Sequence, residues 1–257
     1  MEITDTHAHL DLPEFEQDML QVIERAGEAG VGKIICVGTT VQSSRKCIEL
    51  AGRFPGRIYA SVGIHPNYCA QAEPDDFKQI EALAQLAEVV AIGETGLDFH
   101  HDYASPELQA SYFRNHVELS LSAGKPVIIH ARNADKEAVD ILRGISRSLH
   151  GLRHCFDGSA QDAAPYIELG MHISFGGIVT RPGHKKLKAA AHLVPDDRLL
   201  VETDCPYMTP AEAQGGRNEP AFILHTVKAL AALRNAEPAK IAALTTRNAE
   251  RLFFGGR

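Results

Sequence analysis

Four histidines and two acidic residues stand at or just beyond the ends of short apolar runs, and all six carry side chains that ligate metals. His7 and His9 lie in ITDTHAHLD, Glu94 follows VVAIG, His130 closes PVIIH, His154 follows LR, and Asp204 follows LLVET. Imidazole suits Zn²⁺ and other transition metals, whereas carboxylate oxygen suits Mg²⁺ or Mn²⁺, so the donor set is mixed. Alternate residues of a strand point the same way, so both imidazoles of an HxH pair can face one side. An HxH pair alone is also common among ordinary packing histidines; the four later donors argue for a site.

Asp204 can complete a site with His7 and His9 or hold the attacking water. Its structural alternative is a helix cap before Pro206. Glu202, two residues earlier, should point inward with it, as a partner for a ligand histidine or as a further acidic group in catalysis. His130 and His154 form a second imidazole pair, and Glu94 beside them offers a carboxylate able to bridge two cations.

Other residues carry weaker signals. His65 in GIHPN either contacts substrate or orders the turn before Pro66. Arg132, two residues past His130, can face the same cavity and meet a phosphate. Arg181, His184, Lys185 and Lys186 follow the seventh apolar run, where barrel enzymes often bind phosphate, although a solvated helix start explains them equally well. His100, His101, His116, His150, His192 and His225 read as surface or packing residues. Cys155 and Cys205 adjoin ligands but read as packing thiols. The chain has no P-loop, no GxGxxG after its first strand and no GxSxG elbow.

These donors are far apart in sequence, so a scaffold must gather them. Eight strand-like runs are expected at Ile3–His9, Lys33–Gly38, Ile58–His65, Val89–Gly93, Pro126–His130, Leu152–Phe156, His172–Phe175 and Leu199–Thr203. They are rich in Val, Ile, Leu and Ala, as strands covered on both faces should be. Helical spacing recurs between them, notably at Glu14–Glu28, Ser43–Phe54 and Ser105–Ala123, with Pro106 where a first helical turn tolerates proline. Gly124, Gly151 and Gly170 stand where helices should stop. Eight strands alternating with helices predict one α/β domain over residues 1–257, a (β/α)8 TIM barrel whose strand ends converge on a single mouth. Gly215-Gly216 falls in what would be its last functional loop.

Bulk properties permit this. The chain has 257 residues, 44% of them hydrophobic, enough for a substantial core. A formal net charge of −7 argues against a generally basic nucleic-acid-binding face, though not against a local basic rim. The N-terminus lacks an apolar export segment, and no apolar stretch is long enough to span a membrane. The five cysteines include no CxxC pair, which suggests free thiols in a reducing cytoplasm.

The chain resembles the TatD family of metal-dependent deoxyribonucleases, within the amidohydrolase-like barrels. The resemblance rests on THAHLD (6–11), GIHP (63–66), IGETGLDF (92–99), PVIIHAR (126–132), HCFDG (154–158), LLVETDCPYMTP (199–210) and RNEP (217–220), with a helical tail at Pro238–Phe254. It implies one cation on His7, His9, Glu94 and Asp204, a second on Glu94, His130 and His154, and Arg217 as a phosphate contact at the same mouth. Asp157 stands where a small hydroxyl residue is more usual, and His100-His101 replaces a commoner aromatic. The implied activity is hydrolysis of phosphodiesters by a metal-activated water, acting as an exonuclease on single-stranded or frayed DNA ends. A monomer is expected. The rival readings are an amide or ester hydrolase, such as a D-aminoacyl-tRNA deacylase, and a metal-binding barrel without turnover.

Overall fold

The alternation of β-branched runs with amphipathic segments produces eight parallel strands, each followed by helical structure, in a computed structural model that describes residues 2–146, 148–213 and 216–255. Gly215 of the last loop therefore lies outside the described residues. The strands are β1 (Ile3–Ala8), β2 (Val31–Val37), β3 (Ile58–Val62), β4 (Val89–Asp98), β5 (Val127–Arg132), β6 (Gly151–Arg153), β7 (His172–Phe175) and β8 (Leu199–Val201). The helices are α1 (Met19–Glu28), α2 (Val41–Arg53), α3 (Asp76–Leu83), α4 (Pro106–Ala123), α5 (Asp135–Ile145), α6 (Ala160–Glu168), α7 (Lys185–Leu193), α8 (Ile223–Leu233) and α9 (Pro238–Phe254).

Each strand pairs in parallel with the next in chain order. Closure between β1 and β8 runs through Ala8 and Cys205 and is reinforced by buried side chains. Thr6 Oγ1 donates to Val201 O at 2.9 Å, and Asp5 accepts from the Thr203 backbone N–H at 2.9 Å and hydroxyl at 2.6 Å. The result is the expected (β/α)8 barrel. On β1, Asp5 and Thr6 are fully buried, and the closing seam satisfies both.

Inside the barrel, Ile128, Leu152 and Leu200 form an apolar layer with Ile35, Val37 and Val90, and α9 packs Leu252 and Phe253 against it. Ile128, Leu152 and Leu200 each precede a site residue by two positions, so the same strand faces carry core below and chemistry above.

Element boundaries differ from expectation where backbone geometry intervenes. The first helix begins at Met19, after a separate 3-10 turn over Pro13–Phe15. Helix α2 begins at Val41, because Thr40 Oγ1 accepts the Ser43 N–H and caps it. Strand β4 continues five residues past Gly93, since Thr95–Asp98 pair with Ile129–Arg132. Gly96 (φ 138°) permits this, because a β-carbon there would strike the His130 carbonyl. Strands β6 and β8 end early: Cys155 (φ 43°) and Asp204 (φ 55°) turn the chain into left-handed conformations. Gly124 (φ 62°) and Gly170 (φ 88°) terminate helices, but Gly151 opens β6, close against Val127 O.

Among the described residues no helix is long and apolar enough to cross a membrane. All five cysteines are free thiols.

Candidate metal centre

Glu94 is the hub. It projects from β4, with its backbone N–H donating to Gly38 O at 2.8 Å and its carboxylate almost wholly buried. Burying an unpaired carboxylate costs several kcal/mol, and five imidazoles surround this one. Oε2 faces His7 Nε2 at 3.3 Å and His9 Nε2 at 3.6 Å. Oε1 faces His154 Nε2 at 2.7 Å, His130 Nδ1 at 2.9 Å and His65 Nε2 at 3.3 Å. Its two oxygens therefore look into two different clusters.

Asp204 completes the first cluster. Its Oδ1 lies 3.5 Å from His9 Nε2 and 3.8 Å from His7 Nε2, and the two imidazole nitrogens are 3.2 Å apart. Donors about 2.1 Å from a common centre stand about 3.4 Å apart in a tetrahedral array, so the spacings among His7, His9 and Asp204 suit one cation, with Glu94 Oε2 beside both imidazoles. In the second cluster His130 Nδ1 and His154 Nε2 are 3.3 Å apart, each close to Glu94 Oε1. The positive φ at Asp204 lets the chain turn its carboxylate back toward β1, where its N–H donates to His7 O at 2.9 Å.

The outer ring nitrogens strengthen the fit. His9 Nδ1 lies 3.0 Å from Val37 O, and His130 Nε2 lies 3.2 Å from Asp98 Oδ2. His154 Nδ1 points at Glu202 Oε1 from 3.5 Å. The oxygens behind His9 and His130 fix which nitrogen of each ring is free to bind an ion, Glu202 faces His154 from farther off, and His7 Nδ1 is buried without a partner. Glu202 is fully buried and also accepts the Cys155 N–H at 2.5 Å.

Electrostatics follow from this crowding. Burial alone would raise Glu94, but His154, His65, His7 and His130 outweigh it and hold the carboxylate well below its usual range. Burial also opposes ionisation of Asp204, and His9 and His7 overcome it and lower its pKa. Burial pushes His9 down, yet Asp204 and Glu94 lift it to about 9. Burial likewise lowers His154, and Glu94 and Glu202 raise it to about 10. For His7 and His65 burial prevails; His65 falls to about 4. Two carboxylates held ionised among these buried rings thus demand positive charge at the centre.

The centre opens into a cavity of about 330 Å³ lined by His9, His65, Glu94, Asp98, His130, His154 and Asp204, with His101 and Arg132 toward the rim. His65 both orders its turn, its Nδ1 accepting the Asn67 N–H at 3.1 Å, and touches Glu94. The two readings of His65 are not exclusive. Arg132 lies at the exposed end of β5 on the same cavity.

Arg217 is placed elsewhere. Its guanidinium donates twice to Asp18 at 2.8 Å, covers the Phe15 ring at 4.4 Å and is absent from the cavity lining. A carboxylate and an aromatic face hold the group there. Arg181 donates to Thr209 O at 3.0 Å, and His184, Lys185 and Lys186 are exposed at the start of α7, also outside the lining.

Asp98 escapes the sequence reading, and His101 enters it near the site only through the resemblance. Asp98 is nearly inaccessible to solvent and accepts from the N–H groups of His100 (2.9 Å) and His101 (3.0 Å). Burial would raise its pKa, but His130 and His101 depress it strongly. His101, read from sequence as a surface or packing residue, lies 3.1 Å from Asp98 through Nδ1 and lines the cavity. The signal available was the period of two: Asp98 stands four residues after Glu94, on the same strand face if the strand runs on.

Comparison with known proteins agrees with the barrel fold. The family model described as TatD related DNase matches residues 4–254. A Bacillus subtilis protein named as an uncharacterized metal-dependent hydrolase, YabD, is 38% identical over 97% of this chain and 98% of its own. The 3'-5' ssDNA/RNA exonuclease TatD of Erwinia billingiae is 34% identical over 97% of this chain and 98% of its own. The crystal structure of YjjV, a TatD homolog from Escherichia coli, superposes with a TM-score of 0.92 at 32% identity, covering 98% of this chain and 97% of that one.

Proposed function

The chain belongs to the TatD-related DNase family of metal-dependent hydrolases, and from that premise we propose that it is a two-cation phosphodiesterase removing nucleotides from single-stranded or frayed DNA ends. The observation that carries the reading is the split carboxylate of Glu94, with Oε2 toward His7 and His9 and Oε1 toward His130 and His154. Related proteins carry the name 3'-5' ssDNA/RNA exonuclease, which supports the same substrate class and that polarity.

In this reading His7, His9, Glu94 and Asp204 would hold one divalent cation, and Glu94, His130 and His154 a second. Mg²⁺, Mn²⁺ and Zn²⁺ all suit the mixed donors. Such ions, when bound, activate water and offset the charge of a phosphoryl group undergoing in-line displacement. The side chains do the rest. Asp204 accepts and orients the proton of the attacking water, from a position the buried β1–β8 seam holds rigid. Glu202 and Asp98 orient His154 and His130 from behind. His65 presents its Nε2 to the cavity beside Glu94, and Arg132 steadies a phosphate at the rim. The narrow mouth admits a strand end more readily than an intact duplex. The protein would act as a monomer, and its free thiols fit the reducing cytoplasm.

The test is direct. Protein stripped of metal and reloaded with Mg²⁺, Mn²⁺ or Zn²⁺ should release mononucleotides from single-stranded DNA labelled at either end. Cleavage of an amide, ester or D-aminoacyl-tRNA panel without nucleotide release would replace this reading with the deacylase one. No turnover on any of them, with metal bound, would indicate a binding barrel.

A further inference from the structure

Among the described residues, three tyrosines are exposed, Tyr68 (40%), Tyr103 (57%) and Tyr207 (53%), and all three gather at the mouth of the metal centre. Tyr68 and Tyr207 line the cavity itself, and Tyr103 stacks on His101 with ring centres 5.1 Å apart and planes within 10°. Leu20, Leu86, Leu121 and Leu193, the exposed leucines, are absent from that lining. Scattered exposed apolar residues need no explanation; aromatic rings concentrated on one reactive cavity do.

The cavity-lining pair is built into the centre. Tyr68 lies in a 3-10 turn over Pro66–Gln71, and its N–H donates to His65 O at 2.9 Å. Tyr207 follows Asp204 by three residues, and its N–H donates to Asp204 O, also at 2.9 Å. Each ring then leans over a different cluster, Tyr68 at 6.0 Å from the His65 ring and Tyr207 at 6.0 Å from the His9 ring. Burial, and next the proximity of Tyr68, push the Tyr207 phenol up. Asn218 fixes the Tyr207 loop by donating to its carbonyl at 2.6 Å. Arg132 enters the same cavity from β5, leaving the tyrosines to supply aromatic faces and the arginine to supply charge.

We propose that Tyr68 and Tyr207 form a base-stacking clasp, so that the centre selects phosphodiesters bearing nucleobases over those with the same backbone alone. This rests on the phosphodiesterase reading and adds the recognition it lacks. Every nucleobase has a π face, so stacking on tyrosine is strong and tolerant of sequence. An anchored ring beside each cluster would hold a terminal base while its phosphate lies over Glu94. A substrate offering only ester or amide aliphatic groups would leave these rings exposed to water.

The experiment compares oligothymidylate with an abasic tetrahydrofuran phosphodiester of equal length and charge. Wild-type protein should use the base-bearing strand roughly 10- to 100-fold better in kcat/KM, mainly through KM. Tyr68→Leu with Tyr207→Leu, which keeps bulk but removes the π faces, should erase that preference; the two Tyr→Phe changes should keep it. The chain has no tryptophan and six tyrosines; after correction for thymine absorption, the quenching of tyrosine emission by oligothymidylate seen in wild type should be largely lost in the double Leu variant. Equal use of both strands by wild type, or an unchanged preference in the double Leu variant, overturns the clasp alone. Failure of wild type to cleave either strand overturns the phosphodiesterase reading and the clasp with it.

Discussion

Asp98 Oδ2 stands 3.2 Å from His130 Nε2, while the other nitrogen of that ring lies 2.9 Å from Glu94 Oε1. Two carboxylates from one strand thus grip one imidazole from opposite sides. The outer carboxylate sets the tautomer, and the inner one shares the ring's free nitrogen with the second cluster. Asp98→Asn should therefore weaken the second cation, with a loss of about 10- to 100-fold in affinity or kcat/KM. Isothermal titration of Mn²⁺ would read this as selective loss of one binding event. Two undiminished events would mean that Asp98 only caps the chain at His100 and His101.

Removing the hub is more severe. Glu94→Gln should abolish both high-affinity cations and lower kcat by about 10³-fold or more, because the shared donor serves both clusters. Circular dichroism should stay native, since the amide can still bond the surrounding rings. Activity within tenfold of wild type would refute the shared-donor assignment.

Cation binding should also stabilise the fold. At 100 times the dissociation constant, one site adds about 2.7 kcal/mol, or roughly 5–10 °C in Tm for a chain of this size. Differential scanning calorimetry of stripped and reloaded protein checks this. The increment should vanish in Glu94→Gln; its persistence would locate the stabilising ion elsewhere.

A separate buried histidine makes stability depend on pH. His116 on α4 accepts the Ile64 N–H through Nε2 at 3.0 Å, while Nδ1 lies 2.7 Å from Tyr112 O, so the ring is held neutral. Burial lowers its pKa to about 4, against an ordinary value of 6.5. The unfolded chain binds the proton more readily, so stability is full above pH 6.5 and falls as pH drops toward 4. The expected contribution is about 2 kcal/mol lost by pH 5, from 1.36 kcal/mol per unit. Urea unfolding at pH 7.5 and pH 5 should show a smaller difference in His116→Gln than in wild type. Identical differences would discount the assignment.

The two arginines should separate cleanly. Arg217→Ala should cost about 1 kcal/mol of stability, through its lost pairing with Asp18 and cover of Phe15. Its kcat/KM should change less than about threefold. Arg132→Ala should lower kcat/KM about 10-fold or more on single-stranded DNA, consistent with one charge-assisted phosphate contact, and leave stability nearly unchanged. The reverse pattern would return Arg217 to the substrate path.

The sequence by itself determined a good deal. Apolar runs ending in donors specified the barrel and the residues that meet at its mouth, His7, His9, Glu94, His130, His154 and Asp204, because a strand's period of two and a barrel's single mouth leave little choice of direction. Glu202 was legible for the same reason, two residues before Asp204 on an inward face. Asp98 was not, because Gly93 and Gly96 look like the end of a strand until Ile129–Arg132 are seen pairing alongside them. The pairing of Arg217 was not legible either, because a cation near a proposed phosphate site carries no record of its partner; only folding brings Asp18, 199 positions away, against it. The split of Glu94 between two clusters is likewise a tertiary fact. Local chemistry names the donors, but which oxygen meets which imidazole depends on the closure of β1 against β8, and no local propensity encodes that distance.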